Sequence, residues 1–267
     1  MRASLPMYDL PGLDAATDAW WAGLAAAFRA EGLTEVPDNL TRGDDVRELW
    51  TAPDLLFSQT CGYPLTHALA GEVTLVATPV YACPGCEGGS YHSEILVRSD
   101  AAAKTLADLR GGCAAVNAAD SQSGCSVLRH AVAKLAEKGR FFAEVKISGG
   151  HLPSLRLVTE GAADVCAVDT VTYHLIARTQ PELTEGLRVL ATSAAAPALP
   201  YIARRDLPEA DLARLRAGLA RACADPALAE VRAALLLAGV VVRGLSDYDR
   251  ILDLEAEAIA GGYPEVA

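Results

Sequence analysis

Residues 148–169 read SGGHLPSLRLVTEGAADVCAVD, a stretch that predicts a glycine loop, a helix and a buried strand in succession. The helix is expected over residues 153–160 and the strand over 163–168. Polar loops that follow buried strands are where α/β proteins bind their ligands. The candidate ligand groups of this stretch are His151, Ser154 and Asp169.

Each of these groups also has an ordinary structural interpretation. A histidine is often held in a satisfied structural role, although the position of His151 after two glycines at a helix start favours ligand binding. Asp169 is placed to orient a ligand hydroxyl or amine, and equally to cap a helix beginning at Thr170. Both interpretations stay open from the residues alone.

Outward from this stretch, strand-like and helix-like segments alternate along the whole chain. This alternation predicts an α/β protein with largely parallel sheets, and the length of 267 residues suits two lobes. The predicted strands are 3–8, 54–58, 73–80, 94–98, 113–117, 143–147, 163–168, 187–191 and 200–203. The predicted helices are 14–31, a short one from 64, 120–138, 153–160, 170–177, 209–224, 226–238 and 248–259.

A second polar loop opens the predicted helix 120–138. Ser121, Gln122 and Ser123 precede Gly124 there, so hydroxyl and main-chain N–H groups converge at a helix N-terminus. An anion at such a terminus gains about 0.3–1 kcal/mol from the helix dipole, and hydrogen bonds add to this. Plain N-capping by the serines is an equal alternative.

Charge and composition narrow the classes of partner. The net charge is −11 and no basic run occurs, which argues against nucleic acid but not against a small anion. No run of about 18 apolar residues is present that would span a membrane, and the first residues lack an apolar signal core. A leader removed earlier and a cytoplasmic protein both fit this N-terminus.

Three separated motifs resemble one family in the right order. The stretch 148–169 is similar to the Gly-His-x-x-Ser and Ala-Asp-Val signature of phosphate, phosphite and phosphonate ABC-transporter substrate-binding proteins. Residues 106–111 (LADLRG) with 121–124 (SQSG), and residues 57–65 (FSQTCGYPL), resemble its preceding segments. The resemblance extends from Tyr8 to about Tyr201.

This resemblance implies a type II periplasmic-binding-protein fold, with two α/β lobes joined by two crossover strands and the ligand in the cleft between them. The lobes are expected at residues 1–85 plus 187–267 and at residues 86–186. It also implies an oxyanion ligand held by Ser121, Ser123, His151 and Ser154. Gln122 stands where the family commonly has a small hydroxylated residue. Tyr8, Gln59 and Tyr91 are expected to approach from the first lobe and the hinge, and Asp169 to select an amine.

The family further implies a monomeric periplasmic solute-binding protein that serves an ABC permease, with no enzyme activity, cofactor or metal. It places the loops of Cys61 and Cys86 near each other, which predicts a disulfide between them in an oxidising compartment. Two other interpretations of the cysteines stay open. A redox pair at Cys83 and Cys86 lacks the usual helix start, and a zinc site of Cys61, Cys83, Cys86 and His92 lacks a second CxxC motif.

Enzyme alternatives find less support in the residues. A Gly-x-Ser-x-Gly motif is absent, as are the glycine patterns of nucleotide-binding loops. The remaining rival is a leaderless cytoplasmic enzyme or sensor on the same fold, resembling the menaquinone-pathway dehydratases. Such an enzyme would act on a small carboxylate with Asp169 as proton acceptor.

Overall fold

The computed structural model describes residues 1–43 and 45–267, which form two units. The first unit comprises Met1–Ala82, Cys86–Gly89 and Pro197–Tyr248, and the second comprises Cys83–Gly85, Ser90–Ala196 and Asp249–Ala267. The predicted lobe boundaries therefore need correction. Residues 187–196 and the last helix belong to the second unit, because residues 187–192 pair with a strand of that unit's sheet and Ala258 of the helix lies in its core.

Strands and helices alternate along most of the chain. The strands are β1 Arg2–Ala3, β2 Leu55–Gln59, β3 Val73–Tyr81, β4 Ser90–Tyr91, β5 Ser93–Arg98, β6 Cys113–Val116, β7 Glu144–Ile147, β8 Val165–Asp169, β9 Leu187–Thr192, β10 Ala196–Pro197, β11 Tyr201–Arg204 and β12 Leu237–Val241. The α-helices are α1 Asp14–Ala30, α2 Val46–Trp50, α3 Gly62–Thr66, α4 Val127–Ala133, α5 His151–Thr159, α6 Thr170–Thr179, α7 Glu209–Ala224, α8 Ala229–Ala234 and α9 Asp249–Ala260. Short 3₁₀ turns cover Leu106–Leu109, Pro181–Leu183, Pro226–Leu228 and Leu245–Tyr248, and a π-helical turn covers Gln122–Ser126.

The first unit is built on a five-stranded sheet in the order β1-β2-β11-β3-β12. Strands β1 and β2 pair in parallel, whereas β11 runs antiparallel to both β2 and β3, and β12 runs antiparallel to β3. The sheet is thus mixed rather than largely parallel. A strand buried on both faces has the same apolar composition in either direction, so the sequence could not show this.

Aromatic side chains form the core between this sheet and helix α1. Phe57 stands between Phe28 and Tyr201, with ring-centroid distances of 5.3 and 4.9 Å. Gly218 of α7 lets that helix approach closely, because a Cβ there would lie 2.5 Å from the ring of Phe28. The four-residue recurrence of Trp20, Leu24 and Phe28 correctly predicted the buried face of α1.

The second unit contains a five-stranded sheet in the order β7-β6-β8-β5-β9. Strands β7, β6 and β8 are parallel neighbours, and β5 pairs antiparallel with β8 and β9. Since parallel neighbours end at the same edge of a sheet, the loops after β6, β7 and β8 lie together. The three polar segments identified in the sequence occupy these loops.

Helix α9 completes the core of the second unit. Its Ala258 and the following Tyr263 are fully buried beside Leu128 and Val132 of α4. The main-chain N–H groups of Phe141 and Phe142 donate to the carbonyl of Ala267 at 2.7 and 2.9 Å. The end of the described chain therefore holds the segment between α4 and β7.

Three predicted elements are wrong in detail. The strand predicted over 3–8 stops at Ala3, and Tyr8 lies in a loop. The helix predicted over 120–138 is a π-helical turn followed by α4, which ends at Ala133. The helix predicted over 226–238 ends at Ala234, after which the chain turns through Leu236 at a φ of 56° into strand β12. Pairing with β3 overrides the helix propensity of this alanine- and leucine-rich segment.

In the described part of the chain, none of the helices combines the length and the apolar composition that a membrane crossing requires.

Candidate functional site

The first loop of the second unit presents a cap and a buried polar turn. The hydroxyl of Ser121 accepts a hydrogen bond from the N–H of Gly124 at 3.1 Å, so the capping interpretation is met. The Ser121 hydroxyl hydrogen is still able to donate to a ligand. Gln122 and Ser123 follow within the turn, and all three side chains are buried. Capping and ligand binding are therefore compatible at Ser121.

Gly124 permits a close approach that a side chain at this position would obstruct. A Cβ at this position would lie 1.9 Å from Oδ1 of Asn117, the residue that follows β6. It would also lie 3.3 Å from Cε1 of His151. The glycine thus brings the end of β6, the π-helical turn and the start of α5 into contact.

Ser123, His151 and Asp169 come together from the three loops. The Ser123 hydroxyl lies 3.0 Å from Nε2 of His151, and the same nitrogen lies 3.4 Å from Oδ2 of Asp169. A carboxylate accepts hydrogen bonds only, so Asp169 favours the tautomer in which His151 carries its hydrogen on Nε2. In that tautomer Ser123 receives the imidazole N–H and directs its own hydrogen elsewhere.

The charge of this cluster follows from burial. Burial lowers the pKa of His151, and the neighbouring Asp169 offsets only part of this effect, so the imidazole is neutral at neutral pH. The carboxylate of Asp169 is 1% exposed and also accepts from the N–H of Thr172 at 2.8 Å. It therefore caps α6, as one interpretation of the sequence anticipated, while it orients the histidine.

The three residues resemble a serine–histidine–aspartate triad in composition but not in geometry. In a triad the serine and the acid contact opposite nitrogens of the imidazole, which lets the ring take the serine proton while the acid stabilises it. Here both contacts fall on Nε2 of His151. The arrangement holds a hydroxyl in position but does not make it a nucleophile.

Several buried polar atoms around this cluster have no hydrogen-bond partner among the described residues. They are both amide atoms of Gln122, Oδ1 of Asn117 and Nδ1 of His151. Gln122 is fully buried, so its amide has lost its hydration without receiving a replacement. Unsatisfied buried groups are uncommon in folded proteins and call for a specific explanation, and a bound ligand is one.

Ser154 has a different part in the structure. Its hydroxyl lies 2.6 Å from that of Ser148, which also contacts the carbonyls of Gly150 at 2.9 Å and Val116 at 3.2 Å. Ser148 has a single hydrogen to give to a carbonyl, so Ser154 donates to Ser148. Ser154 thus ties α5 to its preceding loop, and its place among the ligand groups stays a prediction.

The polar groups predicted from the first unit form a network of their own. Nε2 of Gln59 donates to the hydroxyl of Tyr81 and to the carbonyl of Leu199, each at 3.0 Å. Tyr8 packs edge-to-face on Tyr81 at 5.1 Å. Burial raises the pKa of the nearby Tyr201, so its phenol stays neutral. These side chains border a small cavity of about 30 Å³ in this unit.

Tyr91 lies in the second unit, on β4, and is 2% exposed. The sequence-based expectation groups it with Tyr8 and Gln59, which both belong to the first unit. A ligand-binding role for Tyr8, Gln59 and Tyr91 stays a prediction.

Sequence reasoning missed Asn117 and Tyr81 as site neighbours. Asn117 carried a usable signal, because a polar residue directly after a buried parallel strand lies at the ligand edge of the sheet. Tyr81 carried none, since it ends a long apolar strand and its contact with Gln59 is set by tertiary structure.

Among the described residues, no group of three or more His, Cys, Asp or Glu side chains is arranged to hold a metal ion. Cys61 precedes α3, and both Cys61 and Cys86 belong to the first unit, whereas Cys83 belongs to the second. The disulfide between Cys61 and Cys86 stays a prediction.

Similar folds occur among solved structures. A binding-protein component of an ABC phosphonate transporter from Pseudomonas aeruginosa matches with a TM-score of 0.79 and 16% identity, covering 98% of this chain and 87% of that chain. PhnD1 from Prochlorococcus marinus, solved with methylphosphonate, matches with a TM-score of 0.78 and 13% identity over 96% of each chain. XAC2383 from Xanthomonas citri, solved with ATP, matches with a TM-score of 0.70 and 18% identity over 98% of each chain.

At these identities the likeness establishes the fold, and the predicted type II periplasmic-binding-protein fold is confirmed. No curated protein sequence matches the chain significantly. The family itself is established by residues 52–248, which match the substrate-binding proteins of phosphonate transporters and make up more than half of the chain. The predicted role in solute binding for ABC-type uptake is thereby confirmed. The chain belongs to the family of periplasmic substrate-binding proteins of ABC transporters for phosphonate.

Proposed function

We propose that the second unit binds one small phosphorus oxyanion, a phosphonate, phosphate or phosphite, and releases it unchanged. Ser121, Gln122 and Ser123 supply the donors, with main-chain N–H groups at the starts of the π-helical turn and α5. The observation that carries this proposal is the contact of 3.0 Å between Ser123 and His151, which joins two helix starts at one point. Helix starts attract anions because their N–H groups and dipoles point outward.

Gln122 supports the proposal independently. Its buried amide can donate two hydrogen bonds and makes none with the described residues. A hydrogen bond to a charged group contributes about 1.5–3 kcal/mol, more than a neutral one. An oxyanion therefore offers this amide a strong hydrogen-bond acceptor, which the surrounding described residues do not supply. The family commonly has a hydroxylated residue at this position. The longer side chain of Gln122 is suited to reach a different oxygen of the ligand.

A binding function without turnover fits the chemistry of the cluster. Both Ser123 and Asp169 contact Nε2 of His151, so the histidine cannot pass the serine proton toward the acid. Asp169 is further engaged as the cap of α6. We extend the proposal to a monomer that acts in the periplasm and delivers its ligand to an ABC permease.

Titration calorimetry of the purified chain tests the proposal. Methylphosphonate, inorganic phosphate and phosphite are the probes, and at least one is expected to bind with unit stoichiometry. The double variant Ser123→Ala, His151→Ala removes two polar partners and should weaken binding by at least about 100-fold.

The matched control is the double variant Ser246→Ala, His130→Ala, which removes the same groups from exposed or partly exposed positions. It should bind as the wild type does. Equal loss in both double variants, or unchanged affinity in the first, would remove Ser123 and His151 from the site. Turnover of a small carboxylate by the wild type would overturn the binding function in favour of the enzyme.

A further inference from the structure

The chain passes between its two units within residues 82–90, where residues 83–86 form a turn, named here the linking turn. Pro84 and Gly85 occupy its centre, and Gly85 has a left-handed φ of 75°. The ring of His92 lies directly against this glycine, because a Cβ at Gly85 would lie 2.1 Å from Cε1 of the ring. Glycine therefore suits both the backbone conformation and the close packing of the ring.

Both nitrogens of the His92 ring face hydrogen-bond acceptors. Nε2 lies 3.0 Å from Oε1 of Glu94, a buried carboxylate near the start of strand β5. The ring also bonds to the main-chain carbonyl of Gly85, and Nδ1 is the nitrogen that lies nearer to that residue. A carboxylate and a carbonyl can only accept, so the ring satisfies both only when it carries two hydrogens. The geometry thus favours the imidazolium, which has no lone pair to offer a metal.

The groups that touch His92 stabilise its charged form. The hydrogen bond to Glu94 raises the pKa of His92 above its ordinary value and, with the carbonyl of Gly85, outweighs the lowering by burial. Cys83 of the linking turn raises this pKa further. Burial also raises the pKa of Glu94, but its bonds from His92 and from the Thr170 hydroxyl, at 3.1 Å, outweigh that effect. Glu94 is therefore charged around neutral pH.

Helix α6 brings three further ionisable groups to this region. Burial lowers the pKa of His174, with a smaller contribution from Arg178, so the His174 ring is neutral around neutral pH. Burial raises the pKa of Tyr173, and Glu94 adds to this, so the phenol is neutral as well. His92 is thus the group beside Glu94 whose charge changes as the pH rises above neutrality.

Loss of one proton leaves the His92 ring with a single hydrogen for two acceptors. The carboxylate of Glu94 is the stronger acceptor, since hydrogen bonds to charged groups are roughly twice as strong as those between neutral groups. The remaining hydrogen therefore stays on Nε2, and Nδ1 presents a lone pair to the carbonyl of Gly85. Two acceptors cannot bond to each other, so the linking turn loses its tie to the ring.

We propose that His92 is a proton-operated clamp: its imidazolium holds the linking turn to the start of strand β5, and loss of its proton frees the turn. The clamp holds below the pH at which His92 titrates and releases as the pH rises through that value. Because the folded-state pKa of His92 is raised, release comes above the ordinary value of about 6.5. Gly85, His92 and Glu94 form this device by themselves, so it does not depend on the proposed oxyanion site.

NMR titration of the isotope-labelled full chain tests the inference, with dithiothreitol present so that no disulfide holds the turn. The His92 ring is expected to titrate above about 6.5, and the amide signals of Gly85 and Cys86 should shift with the same midpoint. The order parameters of these two amides should be near the rigid value of about 0.85 below the midpoint and fall below about 0.6 above it. Circular dichroism over the same pH range establishes that the chain stays folded.

Glu94→Gln removes the charged acceptor and should move the midpoint of both the ring and the turn to lower pH. Glu257→Gln is the matched control, because Glu257 makes the same kind of pair with His130 at 2.8 Å, and it should leave the midpoint of the turn unchanged. If Glu94→Gln does not fold, the wild-type titration decides alone. Turn amides that stay equally ordered on both sides of the His92 midpoint, that follow His174 instead, or that keep their midpoint in a folded Glu94→Gln would overturn the inference.

Discussion

Each unit buries one glutamine near the end of a strand, Gln59 as the last residue of β2 and Gln122 in the turn after β6, and the two amides have opposite surroundings. Gln59 of the first unit donates to Tyr81 and to the carbonyl of Leu199, so its N–H groups are satisfied by the protein. Gln122 of the second unit is buried as deeply, and both of its amide atoms lack a partner among the described residues. The amide of Gln59 stabilises the fold through its hydrogen bonds, whereas the amide of Gln122 lowers stability because it is buried without any from the described residues.

This difference indicates how to tell a structural polar group from a binding one. A buried polar group without a hydrogen bond costs about 1–3 kcal/mol of stability. A protein can retain such a group when a ligand supplies the missing hydrogen bond. Burial and residue type are equal for Gln59 and Gln122, so neither property separates them. Hydrogen-bond satisfaction does, and it can be tested in both directions.

The largest effect is expected from Gly124→Ala. The new methyl carbon would lie 1.9 Å from Oδ1 of Asn117, so the turn must shift or the Asn117 side chain must rotate. We expect a loss of about 1–3 kcal/mol in the free energy of unfolding and a large loss of methylphosphonate affinity. Gly239→Ala is the control, because nothing lies within 4 Å of the methyl carbon that this substitution would add. Similar affinities in the two variants would show that the close approach at Gly124 does not shape the site.

Gln59→Met should come next in size. The substitution removes two hydrogen bonds and leaves the carbonyl of Leu199 buried without that donor. Chemical denaturation is expected to show a loss of about 1–3 kcal/mol in unfolding free energy. A stability equal to that of the wild type would mean that the first unit's network does not support the fold.

Gln122→Met should act in the opposite direction on stability. Methionine fills a similar volume without a polar group to desolvate, so we expect a gain of up to about 1 kcal/mol in unfolding free energy. Affinity for methylphosphonate should fall at least about tenfold, because a donor to the oxyanion is lost. A stability loss resembling that of Gln59→Met would show that the amide already has a partner.

The smallest effect concerns pH and compares two histidines of the second unit. Burial lowers the pKa of His151, so the unfolded chain binds more protons there below its ordinary value of about 6.5. Its contribution to stability is present above that pH and is lost as the pH falls. The bond to Glu94 raises the pKa of His92, so its contribution is present below about 6.5 and is lost as the pH rises through the raised value.

Unfolding free energies of His151→Gln and His92→Gln, measured on either side of pH 6.5 or so, compare these contributions. In His151→Gln, the free energy of unfolding should fall less than in the wild type as the pH is lowered below 6.5 or so. In His92→Gln, the stabilisation that the wild type gains at low pH should be smaller. The differences are expected to stay below about 1 kcal/mol. Shifts of the same sign in both variants would contradict the assignment.

The sequence predicted the parts of this site that depend on local order along the chain. Ser121, Ser123, His151 and Asp169 follow β6, β7 and β8, and parallel neighbouring strands bring such positions to one edge. Hydrogen-bond satisfaction could not be predicted, because it depends on contacts between distant residues. The pair Ser148 and Ser154 shows this: the sequence marked Ser154 as a candidate ligand group but gave no sign that its hydroxyl lies 2.6 Å from that of Ser148.

The fold shows the same division between local and distant causes. Helix α7 was predicted to the residue because its periodicity is a local property. The first two residues of strand β12, Leu237 and Ala238, were predicted as the end of a helix, since leucine and alanine favour helix unless a strand such as β3 offers an antiparallel partner. Strand direction was missed for a related reason: an apolar run gives no sign of which way its neighbours run.

Helix α9, which packs on α4 from the far end of the chain, has a consequence for biosynthesis. A ribosome makes residues 90–196 long before residues 249–267, yet both belong to the second unit. That unit therefore waits, with Leu128 and Val132 lacking the cover of Ala258, while the intervening chain of the first unit is translated. A chain that lacks residues 249–267 leaves this apolar surface exposed, and such surface makes incompletely folded chains prone to aggregate.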